Sequence, residues 1–273
     1  MMTYNDGWQT SPTGPLDPTV ISRYGYEGSP MAFDIAALQF LYGANTSYRT
    51  GNDVYMLPAG NAAGTFFSCL WDTSGVDTIR NLSLKSSTID LRPATLQHAV
   101  GGGGYLSVPE GVNGTLIENA TGGGGSDRIT GNWATNILIG NGGNDVLNGL
   151  SGADRIVGGM GADTLIGGNG ADDFVYTAVN HSNNQFDVIK DFIHGVDDID
   201  VAAIDANGAA AGNAAFNFRG NSAFTGTGAE VRWMQHAAAN ITNVLFDIDG
   251  NQVADMTIRL TGLITLDTGD FML

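Results

Sequence analysis

The residues best suited to chemistry in this sequence are aspartates that recur every nine positions between Gly122 and Val175. Six consecutive nine-residue blocks fill this stretch, and each carries a carboxylate or amide side chain at its sixth position. These side chains are Asp127, Asn136, Asp145, Asp154, Asp163 and Asp172. Ca²⁺ prefers carboxylates combined with backbone carbonyls. The pattern therefore predicts a series of calcium sites.

Two blocks are expected to form one turn of a coil, so that sixth-position side chains eighteen residues apart stack in two columns. Asp127, Asp145 and Asp163 form one predicted column, and Asn136, Asp154 and Asp172 form the other. At a strand spacing of about 4.8 Å, stacked carboxylates repel by about 3–4 kcal/mol per pair at an effective dielectric near 20. A cation between turns replaces repulsion with bridging, and the block with Asn136 is expected to form a weaker site.

The other positions of the blocks predict the element that holds these side chains. Glycines at the first, second and fourth positions allow tight turns with positive φ, and an apolar eighth residue faces inward from a short strand. This pattern is identified as the RTX nonapeptide repeat, which folds as a parallel β-helix and binds calcium. A disordered glycine-rich linker would not keep this register. The glycines assigned to the calcium loops are Gly123, Gly125, Gly140, Gly142, Gly149, Gly158, Gly159, Gly161, Gly167, Gly168 and Gly170.

Composition excludes several classes of partner. The net charge of −17 over 273 residues argues against nucleic acid and anionic membrane surfaces. Cys69 is the only cysteine, so an extracellular form would need metal rather than an intrachain disulfide for cross-linking. No apolar run approaches eighteen residues, so no membrane span is predicted, and the N-terminus lacks the features of a Sec signal.

Outside the blocks, hydrophobic spacing predicts one helix and several short strands. The predicted elements are an irregular segment at 5–30, a helix at about 31–42, strands at 54–57, 66–71 and 88–91, and a hairpin of 244–248 with 256–260. Asp249-Gly250 would form the hairpin turn. Asp247-Ile-Asp249-Gly-Asn251 resembles the start of an EF-hand loop, but Ile258 stands where that loop needs Glu, which favours the hairpin.

Several segments resemble the serralysin family of secreted bacterial zinc metalloproteases, in the family's order and over nearly the whole chain. The most specific of these, PMAFDIAALQFLYGAN at 30–45, is similar to the last helix of the protease domain. MMTY at 1–4 resembles the Met-turn, with Met2 as its methionine and Tyr4 as the tyrosine that approaches zinc. DFML at 270–273 resembles the ending of proteins exported by type I secretion.

This resemblance implies an all-β fold: a right-handed parallel β-roll flanked by antiparallel β-strands, with one N-terminal helix left from the protease domain. The implied regions are a protease remnant at 1–48, a β-strand region at 49–121, the RTX roll at 122–184 and a C-terminal β cap with a secretion signal at 185–273. Additional implied calcium ligands are Arg49, Gly51, Asp53, Asp72, Gly75, Asp77 and Glu118. Asp187 and Asp191 would either close a calcium site at the end of the roll or cap strands.

The zinc motif of that family, H-E-x-x-H-x-x-G-x-x-H, does not occur in this sequence. The four histidines, His98, His181, His194 and His236, are scattered and are expected to lie on the surface or in loops. No complete catalytic site is predicted. Zinc is expected only if a protease half that carries the motif is present.

Three functions remain open from the sequence. The first is a calcium-binding module for folding and secretion, extracellular and monomeric, not catalytic alone, with a type I (ABC) transporter as partner. The second is a piece of an active zinc endopeptidase whose N-terminal half is supplied elsewhere. The third is a non-proteolytic RTX protein such as a surface-layer protein or adhesin. The segment at 30–45 argues against the third, because repeats travel between families while that segment belongs with the protease domain.

Overall fold

The computed structural model describes residues 10–11, 14–15, 41–42, 47–57, 72–92, 116–182, 185–206 and 215–273. The chain divides into two compact units, one of residues 1–82 and 90–117 and the other of residues 83–89 and 118–273. Short β-strands dominate both units within the described residues. No helix in these residues has the length and apolar character that a membrane span requires.

The strands fall into three groups along the sequence. Those before the blocks are β1 (Thr10–Ser11), β2 (Gly14–Pro15), β3 (Val54–Met56), β4 (Thr78–Arg80) and β5 (Thr88–Asp90). Those of the roll are β6 (Asn119–Thr121), β7 (Arg128–Thr130), β8 (Ile137–Gly142), β9 (Val146–Ser151), β10 (Arg155–Met160), β11 (Thr164–Asn169) and β12 (Asp173–Val175). Those that follow are β13 (Asp187–Ile189), β14 (Asp198–Asp200), β15 (Asn217–Phe218), β16 (Glu230–His236), β17 (Ile241–Asp247), β18 (Met256–Thr261) and β19 (Phe271–Met272).

Two parallel sheets form the roll, and successive blocks alternate between them. In one sheet β8 pairs with β10, with Leu138 opposite Ile156. In the other β9 pairs with β11, with Leu147 opposite Leu165. Paired residues are eighteen positions apart, which confirms that two nine-residue blocks make one turn.

The apolar residue at the eighth position of each block forms the core between the sheets. All six of these residues, Ile129, Leu138, Leu147, Ile156, Leu165 and Phe174, have no solvent exposure. Burying each side chain contributes about 1.5–3 kcal/mol. Ile189 and Ile199 continue the core because they pair with Leu165 and Phe174.

Glycine at the fourth position of the block that begins at 158 is required by both conformation and space. Gly161 has φ +142°, and a Cβ at this position would lie less than 3.0 Å from the Gly143 carbonyl oxygen one turn away. Any other residue would therefore push neighbouring turns apart.

The predicted hairpin is confirmed on the C-terminal side of the roll. β17 and β18 are antiparallel, with Val244 opposite Ile258, and β16 pairs antiparallel with β17. β18 also pairs in parallel with β13, which joins the hairpin to a sheet of the roll. The last strand, β19, pairs in parallel with β14, with Phe271 opposite Ile199.

On the N-terminal side the described strands β3 and β4 pair in parallel, with Tyr55 opposite Ile79. A long connection such as 57–77 permits the crossover that parallel pairing needs. Strands predicted at 54–57 and 88–91 are present as β3 and β5. The strand predicted at 66–71 lies outside the described residues. So does most of the predicted helix, of which only Leu41 and Tyr42 are described, in helical conformation. β1 and β2 form a short antiparallel pair within the segment predicted to be irregular.

Candidate metal sites

The first column of sixth-position carboxylates is held together by hydrogen bonds between turns. Asp145 Oδ1 accepts from the backbone N–H of Asp127 at 2.6 Å, and Asp163 Oδ1 accepts from that of Asp145 at 2.8 Å. Asp187 Oδ1 then accepts from the N–H of Asp163 at 2.8 Å. Asp187 is therefore the fourth carboxylate of this column, although it lies outside the nine-residue blocks.

The second column follows the same rule. Asp154 Oδ1 accepts from the N–H of Asn136 at 2.7 Å, and Asp172 Oδ1 accepts from that of Asp154 at 2.8 Å. Asp197 Oδ1 accepts from the N–H of Asp172 at 3.1 Å. The repeat pattern does not reveal Asp197, because it lies 25 residues after Asp172, a spacing that carries no repeat signal.

Serine hydroxyls close both ends of the first column. The N–H and Oγ of Ser87 donate to Asp127 Oδ1 at 2.6 and 2.8 Å. At the other end the N–H of Asp187 donates to Ser182 Oγ at 2.9 Å. Asp127 Oδ2 also accepts from the N–H of Gly123 at 2.7 Å. The ladder is thus complete at each end without a further aspartate.

Five carboxylate oxygens inside the columns have no hydrogen-bond partner among the described residues. They are the Oδ2 atoms of Asp145, Asp154, Asp163, Asp172 and Asp187, and all are buried. Leaving a buried acceptor unsatisfied costs about 1–3 kcal/mol, and more when it is charged. Native proteins carry few such groups. Five in two adjacent columns indicate places for cations.

The pKa values of these carboxylates are raised, because the buried carboxylates have few hydrogen-bond donors. Burial raises the pKa of Asp145 and of Asp154 to about 7, and neighbouring carboxylates add to the shift, while a backbone N–H opposes it. Burial also raises the pKa of Asp187 to about 8 and that of Asp163 to about 6. A cation beside these oxygens would favour their ionised forms.

Backbone carbonyls face the same spaces as the unpartnered oxygens. A Cβ on Gly140 would lie less than 3.0 Å from both Asp145 Oδ2 and the Gly158 carbonyl oxygen. A Cβ on Gly149 would meet Asp154 Oδ2 and the Gly167 carbonyl oxygen in the same way. This combination of hard oxygen donors suits calcium, whereas zinc favours nitrogen and sulfur ligands.

The remaining predicted loop residues lie around these spaces. Asp191 accepts from the N–H groups of Gly167 and Gly168 at 3.0 and 2.9 Å, which places it against the last glycine loop. Among the other glycines of the predicted loops, Gly123, Gly125, Gly161 and Gly170 lie between strands, and Gly142, Gly158 and Gly159 lie in the second halves of strands β8 and β10. The structure therefore brings the predicted roll residues into one repeated arrangement.

A separate acidic cluster lies in the first unit. The carboxylates of Asp53, Asp72 and Asp77 offer oxygens within 4.8 Å of one another. The Tyr55 hydroxyl donates to Asp72 Oδ2, and the N–H of Asp53 donates to Asp77 Oδ1 at 2.7 Å.

The backbone residues predicted for this site are also described. A Cβ on Gly75 would collide with the Gly51 carbonyl, and the Arg49 carbonyl accepts from the N–H of Thr73 at 3.3 Å. Glu118 belongs to the second unit, where its carbonyl accepts from Asn136 Nδ2 at 2.6 Å.

In each of two other acidic clusters near the C-terminus, the buried carboxylate accepts several hydrogen bonds from protein donors. Asp247 accepts from the backbone N–H groups of Gly250, Asn251 and Gln252, as the favoured hairpin turn requires. Asp270 accepts from His194 Nδ1 and from the N–H groups of Gly195 and Asp267. The second of these is the only acidic cluster with a histidine in the described part of the chain. It does not fit zinc because Asp270 is already fully bonded. Met2, Tyr4 and His98 lie outside the described residues.

Comparison with known proteins indicates the family of this chain. The family model described as Peptidase M10 serralysin C terminal matches residues 33–273. Serralysin C of Dickeya chrysanthemi is 40% identical over 258 residues, which cover 90% of this chain and 50% of that protein. Serralysin of Proteus mirabilis is 39% identical over 259 residues, covering 90% and 51%. Metalloprotease AprA of Pseudomonas entomophila (strain L48) is 37% identical over 267 residues, covering 93% and 51%.

The chain spans about half the length of the curated relatives it matches. Among solved structures, the solution structure of the AlgE6R2 subunit from the Azotobacter vinelandii mannuronan C5-epimerase matches with a TM-score of 0.41 and 23% identity. That match covers 55% of this chain and 88% of the subunit, and at this similarity it supports no inference. The family match over residues 33–273 establishes that the chain belongs to the peptidase M10 serralysin C-terminal family.

Proposed function

We propose that this chain is a calcium-dependent folding and secretion module of a serralysin-like extracellular protease. The observation that carries the proposal is the set of five buried carboxylate oxygens that lack a partner in the described residues. Their pairing with backbone carbonyls in repeated, glycine-lined spaces supports calcium as the ligand.

The residues that would hold the ions belong to both columns. Asp145, Asp163 and Asp187 would serve the first column, and Asp154 and Asp172 the second. Asp197 closes the second column without an open oxygen, because both of its oxygens accept backbone N–H groups, from Asp172 and Ile193. Carbonyls such as those of Gly158 and Gly167 would complete the oxygen donors. When bound, calcium would supply the positive charge that neutralises the stacked carboxylates and links successive turns. We also propose the cluster of Asp53, Asp72 and Asp77 as a calcium site of the first unit.

The chain's own residues explain why folding would depend on the ion. Each turn places a carboxylate directly above another, so the ionised columns repel. Binding to the folded state alone shifts the equilibrium toward folding by mass action. Extracellular calcium modules bind in the range of roughly 10⁻⁴–10⁻³ M. The roll would therefore stay unfolded where calcium is scarce and fold outside the cell, which suits passage through a type I transporter.

Calcium titration tests the first part of this proposal. EGTA-treated protein is expected to lose much of its β signal in circular dichroism, and added calcium should restore it in the roughly 10⁻⁴–10⁻³ M range. Isothermal titration calorimetry should detect binding over the same range. A spectrum that EGTA leaves unchanged, together with no measurable binding, would contradict the proposal.

Export needs a test that leaves the fold intact. Asp270 is fully buried and Phe271 is 8% exposed, so deleting 270–273 would remove a cap and strand β19 along with any signal. Met272 is 40% exposed, and Leu263 offers a matched apolar position at 47%. Met272→Asp should reduce secretion by a co-expressed type I transporter while calcium-induced folding in vitro stays near that of the wild type. Leu263→Asp should affect neither. Normal secretion of Met272→Asp would argue against a signal at this ending.

A further inference from the structure

We infer that the turn containing Asn136 is closed by its own side-chain amide and not by calcium, so that the second column begins with a metal-free link. Asn136 Nδ2 donates to the Glu118 carbonyl oxygen at 2.6 Å and to Asn132 Oδ1 at 3.1 Å. Asn136 occupies the sixth position, where five of the six blocks carry Asp. This inference rests on the proposed function, because it specifies which turn of the calcium-binding roll takes no ion.

The neighbouring groups fix the orientation of the amide. Asn136 Oδ1 accepts from the backbone N–H of Asn132 at 2.8 Å, so the oxygen must face that donor. The nitrogen then faces two acceptors, the Glu118 carbonyl and Asn132 Oδ1, which match its two N–H donors. A reversed amide would place a donor against a donor and an oxygen against two oxygens. Every polar atom of this buried side chain is therefore satisfied.

The aspartates of the columns present the opposite situation. Asp145 and Asp154 each use Oδ1 for a backbone N–H, and each keeps an Oδ2 without a partner in the described residues. A cation placed there would draw oxygens together. At Asn136 the two N–H donors draw together the Glu118 and Asn132 oxygens without adding charge. At this position the amide therefore holds neighbouring oxygens together, as a cation would at the aspartates.

Asn132 takes part in the same substitution. It stands at the second position of its block, where the blocks that begin at 122, 158 and 167 have glycine. Its Oδ1 accepts from the N–H of Ala134 at 2.8 Å as well as from Asn136 Nδ2. The side chains at the second and sixth positions of this block therefore bond to each other.

This link sets where calcium dependence begins in the second column. The N–H of Asn136 still donates to Asp154 Oδ1 at 2.7 Å, so the ladder continues upward from a metal-free base. The unpartnered oxygens of this column start one turn later, at Asp154. The turn at 131–139 can then form before calcium is bound, and the next turn can pair with it.

Calcium stoichiometry of the full chain tests the inference. Asn136→Ala and Asp154→Ala would be measured at saturating calcium by equilibrium dialysis and calorimetry. Asn136→Ala should bind as many ions as the wild type, although it should unfold at a lower temperature. Asp154→Ala should bind fewer ions. Loss of an ion from Asn136→Ala as well would overturn the inference while sparing the proposed function. If neither variant lost an ion, the proposed role of the second column in binding calcium would be wrong.

A second variant covers the case in which Asn136→Ala does not fold. Asn136→Asp would set a carboxylate against the Glu118 and Asn132 oxygens, and at a pH where this carboxylate is ionised only a cation can bridge them. This variant should bind one calcium ion more than the wild type. Asn221→Asp adds the same charge in an exposed loop and should leave the count unchanged. An unchanged count in Asn136→Asp would indicate that the wild-type turn already holds an ion, and would overturn the inference.

Discussion

Buried carboxylates have different roles in the roll and in residues 215–273, the part of the predicted C-terminal cap that is called the cap from here on. In the cap, Asp247 accepts from three backbone N–H groups, and Asp270 accepts from a histidine and two backbone N–H groups. In the roll, Asp145 and Asp154 each keep one buried oxygen without a partner in the described residues. The number of donors aimed at a carboxylate, and not its burial, separates a structural cap from a candidate ligand.

The pKa of a buried acid is lowered in the cap and raised in the roll. Burial acts to raise the pKa of Glu230 in the cap, but hydrogen bonds from Thr225 and Gly226 and the charge of Arg219 outweigh it, so the pKa is lowered. Burial raises the pKa of Asp145 in the roll to about 7, because a single N–H offsets little of it. The cap therefore holds its charges with its own donors, whereas the roll supplies too few donors to offset the burial of its carboxylates.

Removal of calcium should give the largest difference between the two regions. With EGTA, residues 122–190 should become susceptible to protease because the columns repel, while the β17–β18 hairpin should keep more protection. Hydrogen exchange and limited proteolysis with mass spectrometry would locate the change. Equal loss of protection in both regions, at the same calcium concentration, would show that the two regions do not differ in this way.

Single substitutions sharpen the comparison. Asp163→Ala should lower the number of bound calcium ions, since it removes an unpartnered oxygen of the first column. Asp247→Ala should leave that number unchanged and reduce the free energy of unfolding by about 1–3 kcal/mol, because three N–H groups lose their acceptor. Calorimetry and thermal unfolding at saturating calcium would measure both effects. A lost ion in Asp247→Ala would make the cap cluster a calcium site after all.

Sequence alone predicts the repeating part of this molecule well. The nine-residue register fixes the pairing of Leu138 with Ile156 and the burial of the eighth position, because each block repeats one local solution. It does not predict Asp197, whose place in the second column comes from chain closure after the roll. Local sequence is also ambiguous for Asp247, since the same D-x-D-G-N letters suit a calcium loop or a turn capped by N–H groups.

The serine caps and the Asn136 link show a second limit. Ser87 and Ser182 reach the first column from segments that carry no repeat. The bridge of Asn136 depends on the direction of the Glu118 carbonyl and on the Asn132 side chain. Such partners come from tertiary packing, and a spacing rule contains no information about them.

A rise in pH should lower the stability of the metal-free roll and should raise the affinity of the roll for calcium. The pKa of Asp145 rises from 3.8 to about 7 in the folded chain, and that of Asp187 to about 8. At pH values between the pKa of an unfolded aspartate and these raised values, the folded metal-free roll binds more protons than the unfolded chain. Its stability should therefore be greatest below the unfolded pKa and should fall as pH rises through 7 to 8. Calcium must displace these protons, so its affinity should rise with pH.

Circular dichroism and calcium titrations at pH 5 and pH 8 would measure this dependence. Metal-free protein should retain more β signal at the lower pH, and calcium should bind more tightly at the higher pH. The double variant Asp145→Asn, Asp163→Asn removes two of the titrating groups and should show a weaker dependence. Metal-free protein that is less folded at pH 5 than at pH 8 would contradict the expected sign.

The smallest expected effect concerns backbone strain at the second position of two blocks. Leu150 and Asn141 both adopt left-handed backbone, with φ of 75° and 72°. This conformation costs a residue such as leucine about 1–2 kcal/mol, and replacement by glycine removes that cost. Glycine in turn lowers the free energy of unfolding by about 0.5–1 kcal/mol, because it is more flexible in the unfolded chain. Leu150→Gly should therefore stabilise the calcium-loaded roll by up to about 1.5 kcal/mol.

Asn141→Gly is the matched comparison, and it should have the opposite sign. Asparagine tolerates left-handed backbone better than leucine does, and Asn141 Nδ2 donates to the Gly122 carbonyl oxygen at 2.6 Å. Loss of that bond should cost about 0.5–1.5 kcal/mol. Denaturant unfolding at saturating calcium would measure both variants. If Leu150→Gly proved less stable than the wild type, the packing of the leucine would outweigh the strain in its backbone, and departures from glycine in these loops would have to be explained by side-chain contacts at both positions.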